Sequence, residues 1–179
     1  IGGVEAIRDI RDAMEIGVDG IIAPMVESRF GAKKFYDSIN KVYGDNKVIT
    51  TLTIETTNAV KEIDEILEYA KNKFDNITIG RSDLSASYFN VNVTPDSDFL
   101  FDRIEDIARK VDEVGLCCGV GGSFSQATIE KIKTRDKSIT GLIKKYETRK
   151  IIMSSDSFLE LDHSIDEALK FEKLYILSK

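Results

Sequence analysis

Residues 48–85 read VITTLTIETTNAVKEIDEILEYAKNKFDNITIGRSDLS. Val48–Ile54 is a β-branched run that ends in an acid, Glu55, and reads as a strand. Asn58–Lys73 carries Val60, Ile63, Ile66, Leu67 and Ala70 at helical spacing. Ile77–Ile79 is a second short apolar run, and it stops at Gly80. Strand, helix and strand with no hairpin signal between them make one unit of a parallel sheet.

The alternation repeats on both sides of this unit. Upstream, Val4–Ile16 has a helical period that ends at Gly17, Val18–Ala23 is a buried strand ending at Pro24, and Ser28–Val42 is helical again. Downstream, a short helix opens near Ser82 and a longer one spans Asp98–Val114. Leu116–Val120 is a strand running into Gly121-Gly122, and Ser125–Lys133 is helical. Lys137–Tyr146 fits neither period. Lys150–Met153 reads as the last strand and Glu160–Leu177 as the last helix. Ile1, followed at once by Gly2-Gly3, reads as the end of a strand whose body lies upstream.

Strand ends therefore fall near Gly3, Pro24, Glu55, Gly80, Gly121 and Ser154. A closed (βα)8 barrel takes roughly 250 residues. The 179 residues here predict an α/β fold, a TIM barrel that is incomplete, with about six βα units and the first two absent, as a single domain over 1–179. The rival is an open doubly wound sheet, but its Gly-rich loop after the first strand is not evident.

Composition narrows the function. Apolar residues make up 42% and charged residues 31%, an ordinary globular balance. The net charge of −6 argues against a nucleic-acid binder, and no apolar run reaches the roughly 18 residues of a membrane helix. The only cysteines, Cys117 and Cys118, are adjacent, which excludes a disulfide framework and points to a reducing, cytoplasmic setting. They read as small apolar groups on a buried strand. The single histidine, His163, rules out a centre needing two His ligands and reads as a surface or capping residue.

Parallel α/β folds build their sites at the carboxyl ends of strands. Glu55 and Asp83 are acids at or just after two consecutive strand ends. Strands about 4.8 Å apart can bring two such carboxylates onto one divalent ion, and an all-oxygen site favours Mg²⁺ or Mn²⁺ over Zn²⁺. The alternative, at even weight, is that Asp83 caps a helix and Glu55 pairs with a lysine.

Arg81 has two readings as well: a two-pronged grip on a substrate carboxylate, or a structural ion pair with Glu27 or Glu55. Ser82–Ser85 offers N–H groups at a helix start for an anion. Gly119–Gly122 has the composition of a phosphate cradle, which Ser154-Ser155-Asp156 would complete if it does not simply cap the last helix. The Lys-rich segment 131–150 reads as a solvated face. Schiff-base chemistry needs a lysine inside the barrel, and Lys47 and Lys150 sit at strand starts.

Taken together, the strand ends resemble the HpcH/HpaI aldolase and citrate lyase family. Ile21-Ile22-Ala23-Pro24-Met25-Val26-Glu27 is similar to that family's strand ending in Pro-Met-Val. Thr53-Ile54-Glu55-Thr56 is similar to its Ile-Glu-Thr signature, and Ile79-Gly80-Arg81-Ser82-Asp83-Leu84-Ser85 to its Ile-Gly-Pro-x-Asp-Leu-Ser signature.

The resemblance implies a pyruvate kinase-like barrel and Mg²⁺ or Mn²⁺ on Glu55 and Asp83. It implies reversible carbon–carbon cleavage of a small 2-oxo acid through a pyruvate-like enolate. It places Pro24, Gly80, Arg81, Ser82 and Asp83 at the substrate, with Arg81 as the catalytic candidate. Arg81 stands where the family has proline, and Thr53 where many members have Gln. The family's His and Arg from the first strands have no counterpart here, so Arg81 is the candidate to replace that Arg. The remaining expectations are a homo-oligomer and no nucleic-acid or membrane partner. The alternatives are a phosphate-binding isomerase or synthase, or a non-catalytic truncated barrel.

Overall fold

The computed structural model describes residues 1–135, 141–160 and 163–178. Its elements are α1 Ile7–Ile16, β1 Gly20–Ala23, α2 Arg29–Tyr43, β2 Ile49–Ile54, α3 Thr57–Lys61, α4 Ile63–Ala70, β3 Asn76–Gly80 and α5 Arg81–Ala86. They continue with α6 Asp98–Glu113, β4 Cys117–Gly121, α7 Gln126–Thr134, β5 Ile143–Glu147, β6 Ile152–Ser154, α8 Ser155–Glu160 and α9 Ser164–Leu177.

The strands form one sheet in the order β1-β2-β3-β4-β5-β6, with β1 to β5 parallel. Sequential neighbours joined by helices curl this sheet into a half-barrel. Among the described residues no helix is long and apolar enough to cross a membrane.

Local chemistry explains where the helices start. Ser28, Thr56 and Ser97 each accept a backbone N–H of the first turn of α2, α3 and α6. Ser125 and Thr128 form a reciprocal capping box at α7. The segment Asn58–Lys73 is not one helix. It breaks at Glu62, whose φ of −93° and ψ of 10° leave the helical region. The cause is tertiary: the Thr57 N–H is tied to Ser87 Oγ at 3.0 Å on one side, while Ile63, Ile66, Leu67 and Ala70 pack into the core on the other.

Period-two alternation separates the two faces of the sheet. Leu52, Ile54, Ile77, Ile79, Cys118, Val120 and Tyr146 pack toward the helices and are buried in the apolar core. Leu52, Ile54, Ile77 and Ile79 are fully buried, which contributes about 1.5–3 kcal/mol each. The opposite, concave face is polar: Thr51, Thr53, Asn76, Thr78, Lys145 and Glu147. Hydrogen bonds link it across strands, from Asn76 Nδ2 to Thr51 Oγ1 at 3.3 Å and from Thr78 Oγ1 to Glu147 Oε1 at 2.9 Å. Burial pushes the Cys118 thiol up to about 12, with Cys117 adding to the shift. The native protein at pH 8 is therefore expected to leave Cys118 unalkylated by iodoacetamide; its modification as fast as a free thiol would contradict this packing.

The carboxyl-terminal part departs from the sequence reading. The fifth parallel strand is Ile143–Glu147, inside a stretch that showed no clear period and whose residues 136–140 lie outside the described ones. The expected last parallel strand, Lys150–Met153, is instead the short antiparallel β6, paired Glu147↔Ile152 and Lys145↔Ser154. Thr148 closes the hairpin by donating its N–H to Ile151 O at 2.8 Å. Its hydroxyl accepts the N–H of Lys150 at 3.3 Å and of Ile151 at 3.1 Å. Because β6 runs backwards, Ser154-Ser155-Asp156 lies at the amino end of the parallel sheet, where Ser155 Oγ bonds Ile143 O. It cannot complete a phosphate site at the carboxyl end. His163 precedes α9 as an exposed residue, its Nδ1 3.2 Å from Asp166 Oδ2.

Candidate active site

At the carboxyl ends of β2 to β5 the concave face opens into a cavity of about 460 Å³. Register explains its floor. Gly80 lies opposite Gly121, with Glu55 following β2 on one side and Glu147 ending β5 on the other. Neither glycine carries a side chain, so the two glutamates lean over them. A Cβ built on Gly80 would sit 2.7 Å from Glu55 Oε2. One on Gly121 would sit 3.4 Å from Glu147 Cβ and 3.7 Å from its Oε2.

Glu55 is 8% exposed. Its Oε1 accepts the N–H of Met25 at 2.8 Å. Met25 follows β1 and Pro24 with a φ of 53°, a conformation uncommon for a side-chain-bearing residue, and this turn aims its N–H at the carboxylate. Burial raises the Glu55 carboxyl above the usual range; the Met25 bond works against that, and the charge and proton-sharing contact of Asp83 add to it. The two acids thus act on each other as like charges at the cavity. Among the described residues neither has an ion pair with a lysine or arginine. The alternative of a lysine partner for Glu55 is not what the structure shows.

This donor set fits a hard divalent cation. Both groups are carboxylates, both line the cavity, and one is buried beside a like charge that a cation would relieve. Among the described residues no cluster of three or more His, Cys, Asp or Glu side chains could hold a metal. An ion here would keep water or substrate oxygens in its remaining positions, as Mg²⁺ does with one or two carboxylates.

Arg81 corrects a sequence reading. Its side chain is fully buried and points away from the cavity, into a cage of its own. Nε donates to Gly122 O at 3.1 Å and Nη2 to Gly122 O at 2.6 Å and Ser123 O at 3.0 Å. Nη1 donates to Pro95 O at 3.2 Å and to Asp96 Oδ1 at 2.9 Å. The guanidinium lies over the Phe124 ring at 4.2 Å. With every face engaged, it has nothing left for a substrate carboxylate and is not a catalytic group. Its ion-pair partner is Asp96, neither Glu27 nor Glu55. Glu27 instead accepts from Thr56 Oγ1 at 2.7 Å.

The other sequence candidates divide. Gly80, Ser82 and Asp83 line the cavity; Pro24 does not. Ser82 Oγ meets Ser123 Oγ at 2.7 Å. Gly122, with φ +91°, comes so close that a Cβ would lie 2.9 Å from the Ser82 backbone nitrogen. The Gly119–Gly122 run is explained by packing: a Cβ at Gly119 would strike Lys145 Cε at 2.8 Å, and Gly121 is overlain by Glu147. A carboxylate over the turn is the wrong charge for a phosphate.

The sequence reading missed Glu147, Thr148, Arg149 and Glu172, all in the cavity wall. Glu172 on α9 accepts the Arg149 N–H at 3.0 Å, and its Oε1 is 3.8 Å from Arg149 Nε. The segment 143–147 carried no signal for them, because its two apolar residues, Ile143 and Tyr146, are three apart and fit no strand period. Lys145 also lies on the concave face, 3.7 Å from Glu147 Oε1, and not on a solvated one.

A sequence profile described as HpcH/HpaI aldolase/citrate lyase matches residues 4–114. No curated protein matches the chain. Among solved structures, an HpcH/HpaI aldolase from Desulfitobacterium hafniense DCB-2 superposes with a TM-score of 0.61 at 14% identity, over 97% of this chain and 69% of that one.

Proposed function

Because the chain belongs to the HpcH/HpaI aldolase/citrate lyase family, we propose that it is a metal-dependent carbon–carbon lyase acting on a small 2-oxo acid. The observation that carries this reading is the pair of carboxylates, Glu55 and Asp83, lining the cavity together with no ion-pair partner among the described residues. They would hold Mg²⁺ or Mn²⁺. When bound, such an ion supplies positive charge beside the keto oxygen, where electron density accumulates as the bond breaks.

The chain's own groups do the rest. Met25 N–H fixes the Glu55 carboxylate. Gly80 and Gly121, having no side chains, let the Glu55 and Glu147 carboxylates lie low over the floor, with the cavity open above them. The first-turn N–H groups of α5, which have no partner within the helix, start at this floor and suit a carboxylate.

Titration calorimetry with Mn²⁺ tests the reading. Glu55→Gln and Asp83→Asn are each expected to weaken binding by about 100-fold or more, and wild-type affinity in both would defeat it. Affinity is expected to rise with pH through the raised carboxyl range of Glu55, because binding displaces its proton. The same shift has a consequence for the metal-free protein. A carboxyl held above its unfolded value favours folding most at low pH, and that contribution fades as pH rises through the folded value. Glu55→Gln should therefore raise the metal-free melting temperature at pH 7 while removing Mn²⁺ binding.

One observation favours a second reading. Lys145 lies on the concave face beneath the cavity, where an imine-forming amine would sit, but Glu147 pairs with it. Borohydride added with pyruvate leaves the protein mass unchanged under the metal reading. A pyruvate-derived adduct on Lys145 would replace that reading.

A further inference from the structure

We propose that Glu147 is the proton-transferring residue of this cavity, standing across the two-glycine floor from Glu55. The proposal rests on the lyase reading above. Cleavage of a hydroxylated 2-oxo acid needs one group that takes the proton of the hydroxyl and later returns it to carbon. That group must sit at the reacting atoms and must not be spent on structure or on the ion.

The cavity wall offers few choices. Glu55 and Asp83 are the metal candidates, and Glu172 is engaged by the Arg149 backbone and side chain. Glu147 remains. It ends β5, the position from which barrel strands present chemistry. Its two oxygens have different surroundings. Oε1 is anchored by Thr78 Oγ1 at 2.9 Å, with Lys145 Nζ behind it at 3.7 Å. Oε2 accepts no hydrogen bond among the described residues and lies above Gly121. Gly80, the register neighbour of Gly121, is overlain by Glu55 Oε2. A three-carbon acid held in the cavity above these carboxylates would thus have the ion candidates at one side and a free carboxylate oxygen at the other.

The step balances within the substrate and this one residue. Glu147 Oε2 takes the hydroxyl proton. The carbon–oxygen double bond of the leaving aldehyde forms, the adjacent carbon–carbon bond breaks, and its electron pair becomes the enolate. The Glu147 carboxylic acid then returns the proton to the enolate carbon, giving the methyl of pyruvate and restoring the carboxylate. Lys145 and Thr78 are positioning residues.

The test is exchange of pyruvate methyl protons for deuterium, followed by NMR in D₂O with saturating Mn²⁺. Wild type is expected to exchange. Glu147→Gln should slow exchange about 100-fold or more while Mn²⁺ affinity, by calorimetry, stays within about twofold. Glu147→Asp should restore part of the rate. If Glu147→Gln does not fold by circular dichroism, Thr78→Val, which removes only the anchor, should slow exchange with unchanged Mn²⁺ affinity. Wild-type exchange in the folded variants overturns the proposal. So does loss of Mn²⁺ in Glu147→Gln as deep as in Glu55→Gln, which would make the residue a ligand. A wild type that binds Mn²⁺ but never exchanges overturns the role of Glu147 and spares the metal reading; a wild type that binds no Mn²⁺ fails the lyase reading and takes this proposal with it.

Discussion

Arg81→Leu is expected to lower stability by roughly 3–5 kcal/mol, read as a fall of about 10 °C in melting temperature. The guanidinium is fully buried and holds the carbonyls of Gly122, Ser123 and Pro95 together with Asp96. Leucine leaves those three carbonyls facing an apolar neighbour, and each lost partner costs about 1–3 kcal/mol. Asp96 is 42% exposed on its side chain, so water takes up part of its charge and the total falls short of the sum. Arg81→Lys should lose less, because an ammonium keeps the Asp96 pair but cannot reach Gly122, Ser123 and Pro95 in one plane. The two readings of this residue separate cleanly. As a structural staple it moves the unfolding midpoint; as a substrate grip it would leave the midpoint alone and lose affinity for pyruvate. A change under about 1 kcal/mol in Arg81→Leu would contradict the cage described here.

Gly80→Ala carries the second large effect, and it falls on the site. The new methyl would lie 2.7 Å from Glu55 Oε2 and 2.9 Å from Glu55 Cβ. The Cβ follows a central strand and has little freedom to retreat. Relief must come from spreading β2 and β3 or from swinging the carboxylate off Asp83. Overpacking of this kind costs about 1–3 kcal/mol. The Met25 N–H then loses its acceptor and the two acids no longer converge. Calorimetry should show Mn²⁺ binding reduced at least as far as in Glu55→Gln. Gly121→Ala is the control. Its methyl would meet Glu147 at 3.4 Å, which a small shift accommodates, so Mn²⁺ affinity should stay near wild type. Normal Mn²⁺ binding by Gly80→Ala would remove the claim that this glycine sets the position of Glu55.

Much of this architecture follows from local pattern. The β-branched run ending at Glu55 and the ITIG run ending at Gly80 are strands because alternate residues must serve two faces. The serines and threonine before α2, α3, α6 and α7 mark helix starts because their hydroxyls meet first-turn N–H groups. The positions of Glu55 and Asp83 at consecutive strand ends were readable for the same reason, since strand ends and side-chain alternation are properties of neighbouring residues.

Other features were decided only when distant segments met. Arg81 sits one residue from the cavity in sequence, yet it turns away because Phe124, Asp96 and the 122–123 carbonyls, all remote in the chain, offer it a cage. Strand Ile143–Glu147 (IKKYE) has no apolar/polar alternation to read, and its polar side chains make sense only against the notches left by Gly119 and Gly121 on the next strand. The reversal at Thr148 that turns β6 antiparallel has no Asn-Gly or Asp-Gly signature. The physical reason is common to all three. A side chain's period and its neighbours in sequence determine which surface it favours, but the direction of a charge and the pairing of a short strand depend on partners that folding alone supplies.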